Sequence, residues 1–166
     1  GSNTNTKQIL RPENLREKIF EIALNTFEVT CYMFPLEEWE LEENDDIQQP
    51  DPNLRALVRF DGAATGAMVI CPSHELLDAI AANMLGIDEA TSAEKEGALC
   101  EIANIICGNT VPLFAEDDNI CYIRPPRMAE IEEEPDLMFN NMESEHVEIL
   151  LDEEQVDISV YYREGA

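Results

Sequence analysis

Apolar residues recur at helical spacing near the start of the chain. Leu15, Ile19, Ile22, Ala23 and Phe27 lie three or four positions apart and predict a helix over residues 11 to about 34. Pro12 and Glu13 suit its first turn, where a missing N–H is tolerated and a carboxylate meets the positive end of the dipole. Pro35 closes the segment. The period then shortens to two. Leu54, Ala56, Val58 and Phe60 alternate with Arg55, Leu57, Arg59 and Asp61, which predicts a strand over 54–60. Asp61-Gly62 is a hairpin turn signal, and Ala67, Val69 and Cys71 belong to a second strand over 64–71. Ser73 then reads as an N-cap for a helix with Leu76, Leu77, Ile80, Ala81, Met84 and Leu85 on its apolar face and Gly86 at its end. Thr91 and Glu94 form a capping box for a third helix, which Pro112 kinks or ends near Phe114. Four strands are predicted beyond it, at about 119–124, 136–141, 145–151 and 155–162. Two acidic stretches, Glu37 to Pro52 around Trp39 and Glu130 to Asp136, read as connectors.

Helix, hairpin, two helices, then a run of strands is the order of an α+β fold, with helices on one face of a largely antiparallel sheet. The length of 166 residues and the 45% apolar content fit one domain with one core. Gly1-Ser2 and the polar run Asn3 to Thr6 read as a cloning scar and loose tail over 1–9, leaving a single domain over 10–166. Charge narrows the function further. Ten Lys and Arg against 36 Asp and Glu leave a formal charge of −26, which excludes ordinary nucleic-acid binding and docking on anionic lipid. No apolar run approaches the roughly 20 residues of a membrane span, and no signal-peptide pattern opens the sequence.

Metal and thiol chemistry find little support. Cys31, Cys71, Cys100, Cys107 and Cys121 are scattered without a CxxC pair, so they read as reduced, partly buried thiols of a cytosolic protein. Asp45-Asp46 and Glu116 to Asn119 lack the glycine and glutamate register of a calcium loop. His74 and His146 pair with no recognisable nucleophile.

The third helix carries the one constellation that stands out. At about 100° per residue, with Gly97 as zero, Glu101 falls near 40°, Asn104 near 340° and Gly108 near 20°. Leu99, Ile102, Ile106 and Leu113 fall on the opposite side. The apolar side can therefore face the sheet while Glu101 and Asn104 point outward together. Each glycine costs about 1 kcal/mol against Ala in an exposed helix interior. Such a cost fits the close approach of another backbone, either the chain's own or a partner's. An outward Glu and Asn are by themselves compatible with a plain solvated face.

The segment Gly97-Ala98-Leu99-Cys100-Glu101-Ile102-Ala103-Asn104-Ile105-Ile106-Cys107-Gly108 resembles the signature helix of the CheC/CheX/FliY family of response-regulator phosphatases. That pattern has a small polar residue, Glu four positions on, Asn three beyond it, and a proline a little over twenty residues later. Pro125-Pro126 stand at that distance here, and the element order is also similar to CheX over roughly residues 10–163. With one E-x-x-N copy, the chain is similar to CheX rather than to two-site CheC. Gly97 departs from the Asp or Ser usual at its position.

The resemblance implies a two-layer CheC/CheX-like fold and hydrolysis of the aspartyl phosphate of a CheY-like response regulator. Asn104 would orient the attacking water, and Glu101 would pair with the regulator's active-site lysine. Gly97 and Gly108 would border the partner-binding stripe. The Mg2+ would belong to the phosphorylated partner, and this chain would need no metal or cofactor of its own. Strand-to-strand homodimerisation is implied as well. The rival is a catalytically silent CheX-like module that binds a signalling partner, and turnover separates the two.

Overall fold

The computed structural model describes residues 13–36, 47–115, 118–152 and 154–165. The expected tail over 1–9, Pro12, Trp39, Asp45-Asp46 and Glu116-Asp117 lie outside these residues. Helix α1 spans Leu15–Cys31, and Leu15, Ile19, Ala23 and Phe27 are buried as their spacing requires. It ends before Pro35, because Tyr32 adopts a left-handed conformation and its N–H returns to Glu28 O. The hairpin β1 (Ala56–Gly62) and β2 (Ala64–Pro72) forms as expected.

Helix α2 (His74–Leu85) is capped at both ends by the predicted residues. Ser73 Oγ accepts from the Leu76 N–H at 3.1 Å, and Gly86 is left-handed at φ 68°. Helix α3 (Ser92–Thr110) begins with the capping box of Thr91 and Glu94 and runs into a 3-10 turn over Val111–Phe114. By length and composition alone, Ser92–Phe114 could cross a membrane, yet half of that window is buried within this fold.

The strands differ from the sequence reading in the acidic region. Strand β3 is short, Cys121–Ile123, and a two-residue β4 (Arg127–Met128) follows. Residues 136–141 form no strand. Instead Pro135–Met138 makes one turn of helix, α4. Proline suits a first helical position and cannot donate to a ladder, so Pro135 favours the turn over a strand. Strands β5 (Glu143–Leu151) and β6 (Glu154–Glu164) complete the sheet.

The sheet is antiparallel in the order β3-β1-β2-β6-β5, with β4 also paired to β1. Alternation along each strand divides its side chains. Val58, Phe60, Met68, Ile70, Ile158, Val160 and Tyr162 face the helices and form the main core. Leu57, Ala67, Val69 and Tyr161 face the other way, where Ala129 and Phe139 cover them. The acidic connector is therefore packed against the sheet. Arg55 fastens it by donating to Glu133 O at 2.6 Å and Glu130 O at 2.8 Å. The Tyr161 hydroxyl donates to Asp136 Oδ1 at 2.6 Å. Burial, followed by this contact with a carboxylate, pushes the Tyr161 phenol up.

Candidate functional site

Helix α3 is positioned by its apolar side. Ala98, Leu99, Ile102, Ala103, Ile106 and Cys107 are buried, and Leu99, Ile102 and Ile106 join the core over the sheet. That packing fixes the rotation of the helix, so Gly97, Glu101 and Gly108 are exposed and Asn104 is half-buried beside them. The four predicted residues share one outward stripe.

The two polar side chains of the stripe differ from their neighbours in hydrogen bonding. Asn109 donates from Nδ2 to Ile105 O at 3.0 Å, and Thr110 Oγ1 donates to Ile106 O at 2.7 Å. Both turn back onto the helix. Among the described residues, neither the Asn104 carboxamide nor the Glu101 carboxylate has a hydrogen-bond or ion-pair partner. The Asn104 carboxamide thus keeps its acceptor oxygen and two donors unused among the described residues.

The glycines also find no internal explanation. Among the described residues, a Cβ built on Gly97 would meet nothing within 4 Å, and one on Gly108 would meet only Ile123 Cδ1 at 3.9 Å. Among the described residues, no backbone outside the helix comes within 4 Å of a Cβ at either position. Gly108 does adjoin β3, so that strand flanks the C-terminal end of the stripe. Pro125-Pro126 lie in the link between β3 and β4, where the Arg124 N–H donates to Arg59 O at 2.7 Å.

The remaining chemical candidates fall elsewhere. All five cysteines are free, with Cys31 and Cys107 buried. Burial pushes the Cys71 and Cys107 thiols up to about 12, the opposite of an activated nucleophile. Burial also raises Cys100, the half-buried neighbour of Asn104 on α3. His74 sits 3.8 Å from Asp78 at the start of α2. His146 lies on the sheet face away from α3, with Nδ1 2.7 Å from Ser159 Oγ in the facing strand. That contact was invisible in sequence because it depends on the β5–β6 register. Near α2, Lys95 Nζ stands 2.7 Å from Asp78 Oδ1. Among the described residues, no group of three or more His, Cys, Asp or Glu is placed to hold a metal ion.

A helix-covered antiparallel sheet that presents Glu and Asn three residues apart on one exposed helix defines the class. The chain belongs to the chemotaxis phosphatase CheX family, whose model matches residues 54–136, from before β1 into α4. That span includes the whole stripe and the two prolines.

Solved structures agree in fold. The chain is similar to CheX in a CheX–CheY–BeF3–Mg2+ complex from Borrelia burgdorferi, at 20% identity and a TM-score of 0.62, covering 89% of this chain and 97% of that one. It is also similar to CheX from Desulfovibrio desulfuricans, at 11% identity and a TM-score of 0.65, covering 90% and 99%. CheX from Vibrio vulnificus matches at 17% identity and a TM-score of 0.64, with the same coverage of 90% and 99%. At these identities the likeness is one of fold. No curated protein matches by sequence.

Proposed function

We propose that this chain hydrolyses the aspartyl phosphate of a CheY-like response regulator. The observation that carries the reading is the pairing of Glu101 and Asn104 on an exposed face of α3, both without partners among the described residues. The B. burgdorferi relative, in complex with CheY, BeF3 and Mg2+, supports the choice of partner. The Mg2+ stays with the partner, and the reading assigns none to this chain.

An acyl phosphate is already activated, so the protein needs chiefly to position a water in line. Asn104 Oδ1 would accept a hydrogen bond from that water. The water oxygen bonds to phosphorus as the bond from phosphorus to the aspartyl carboxylate oxygen breaks, releasing phosphate and a free carboxylate. An amide does not titrate, so the role requires no shifted pKa. Glu101, one turn earlier, would pair with the regulator's active-site lysine. The setting is the cytoplasm, and the partly open edge of β5 supports a homodimer.

The direct test follows decay of a phosphorylated regulator from the same cell, with Mg2+, with and without this protein. Faster decay supports the phosphatase. Binding without faster decay would replace it by the silent module.

Two substitutions on the stripe test its roles separately. Glu101→Ala should weaken regulator affinity by roughly ten- to a hundredfold as well as slow turnover, since a charge-assisted contact is worth roughly 1.5–3 kcal/mol. A titration curve unchanged by the substitution would contradict the pairing. Gly97→Ala should stabilise the protein by about 1 kcal/mol, because Ala is the better helix former and its Cβ meets nothing within 4 Å. If a regulator's backbone closes on this position, the same variant should bind it several-fold more weakly. A variant that gains stability and keeps full affinity would place the partner elsewhere.

A further inference from the structure

Positive charge is scarce in this chain, and it is not spread evenly. Arg59, Arg124 and Arg163 lie at one end of the sheet, on the face away from the helices. Arg59 shares its row with Ala67 and Tyr161, which belong to the cluster on that face. Arg163 stands two residues beyond Tyr161, opposite Thr65. Arg124 bonds Asp61 at 2.6 Å, and Tyr122, 60% exposed, lies opposite Asp61 in the sheet.

Arg124 has a carboxylate partner, and Arg59 acts on the Glu133 carboxylate through space, but neither Arg59 nor Arg163 has a carboxylate within 4.0 Å among the described residues. The Arg59 guanidinium instead lies 5.2 Å from the centroid of the Phe139 ring, which braces it in the open. Both arginines are exposed. In a chain with 36 carboxylates, an arginine has abundant candidates for pairing. Two that make no direct ion pair among the described residues, beside a paired third and an exposed tyrosine, have the composition of a protein-binding centre rather than of a solvated sheet face.

We infer that the outer sheet face around Arg59, Arg163 and Tyr122 is a second docking surface, and that its occupant is an acidic segment of a partner protein. Charge complementarity sets this choice. Elsewhere the net charge of −26 repels an acidic chain, and here two arginines receive it. The surface lies on the opposite side of the sheet from α3, so both faces can be occupied at once.

The probe is a fluorescein-labelled peptide of about 12 residues, Glu-rich with two Phe, read by anisotropy at about 50 mM salt, where screening is weak. Saturable binding is expected, with at least a tenfold loss in the double variant Arg59→Glu, Arg163→Glu. That variant should keep its melting temperature, and its effect on regulator decay should equal that of the unmodified protein. The readout is peptide binding, so it stands or falls independently of phosphatase activity. No saturable binding, equal binding by the double variant, or tighter binding of a single-stranded oligonucleotide of equal charge would each overturn the inference.

Discussion

Replacing Asn104 by Ala should slow catalysed decay of the phosphorylated regulator by about 10²–10⁴, or roughly 3–5 kcal/mol of barrier. Regulator affinity should survive, because Glu101 and the rest of the exposed stripe remain. The carboxamide points outward and has no hydrogen-bond partner among the described residues, so its loss leaves no orphaned group in the fold. The melting temperature should therefore hold or rise slightly, since Ala is the better helix former. This combination distinguishes a water-positioning residue from a packing residue. Single-turnover decay at saturating enzyme measures the chemistry, and a binding titration measures the docking. Retained phosphatase activity in the variant would end the assignment of Asn104.

The second large effect concerns the sheet. Gly66 lies in β2 between β1 and β6, opposite Phe60 on one side and Tyr162 on the other. A Cβ there would overlap the Tyr161 carbonyl oxygen and come within 2.8 Å of the Tyr161 carbonyl carbon and 2.9 Å of Phe60 Cζ. Two of these atoms are backbone in a paired strand and cannot swing aside. Phe60 is itself stacked on Phe114, 5.8 Å between centroids, and Phe114 packs on Tyr162 at 5.0 Å.

Gly66→Ala should therefore cost at least ~3 kcal/mol, the upper range for overpacking. For a chain of this length, that is a fall of roughly 10 °C in melting temperature. Gly97→Ala is the matched control. The same substitution in the same protein should change stability in the opposite sense, because one Cβ enters a packed sheet and the other enters open space. Equal melting temperatures for the two variants would refute this packing account of the β2–β6 pairing.

The layout of the helical layer was legible in the sequence because each signal was local. Ser73, Gly86, and Thr91 with Glu94 mark helix ends through contacts only three or four residues long. The hairpin around Gly62 was legible for the same reason. The stripe on α3 was also legible, since helical geometry alone puts Glu101 and Asn104 on one side.

The strand expected over 136–141 does not form, because the fate of this region is decided at long range. In sequence, Glu130 to Asp136 reads as an acidic connector leading into that strand. Arg55, 75 to 78 positions earlier, instead draws the segment back across the sheet, where Phe139 meets Tyr161 at 5.2 Å. Proline at position 135 then makes a turn of helix where a strand over 136–141 is expected from the sequence.

The sequence by itself determined the element order, the caps and the phase of α3, because helical and hairpin periodicities are properties of neighbouring residues. Only the tertiary structure decided that, among the described residues, a Cβ at Gly97 would meet nothing and one at Gly108 only Ile123. It also decided that Gly66 carries the close approach of β2 to β6, and that two arginines on the far face make no direct ion pair among the described residues. Those facts depend on which distant atoms share a space, and no local spacing in the chain encodes them.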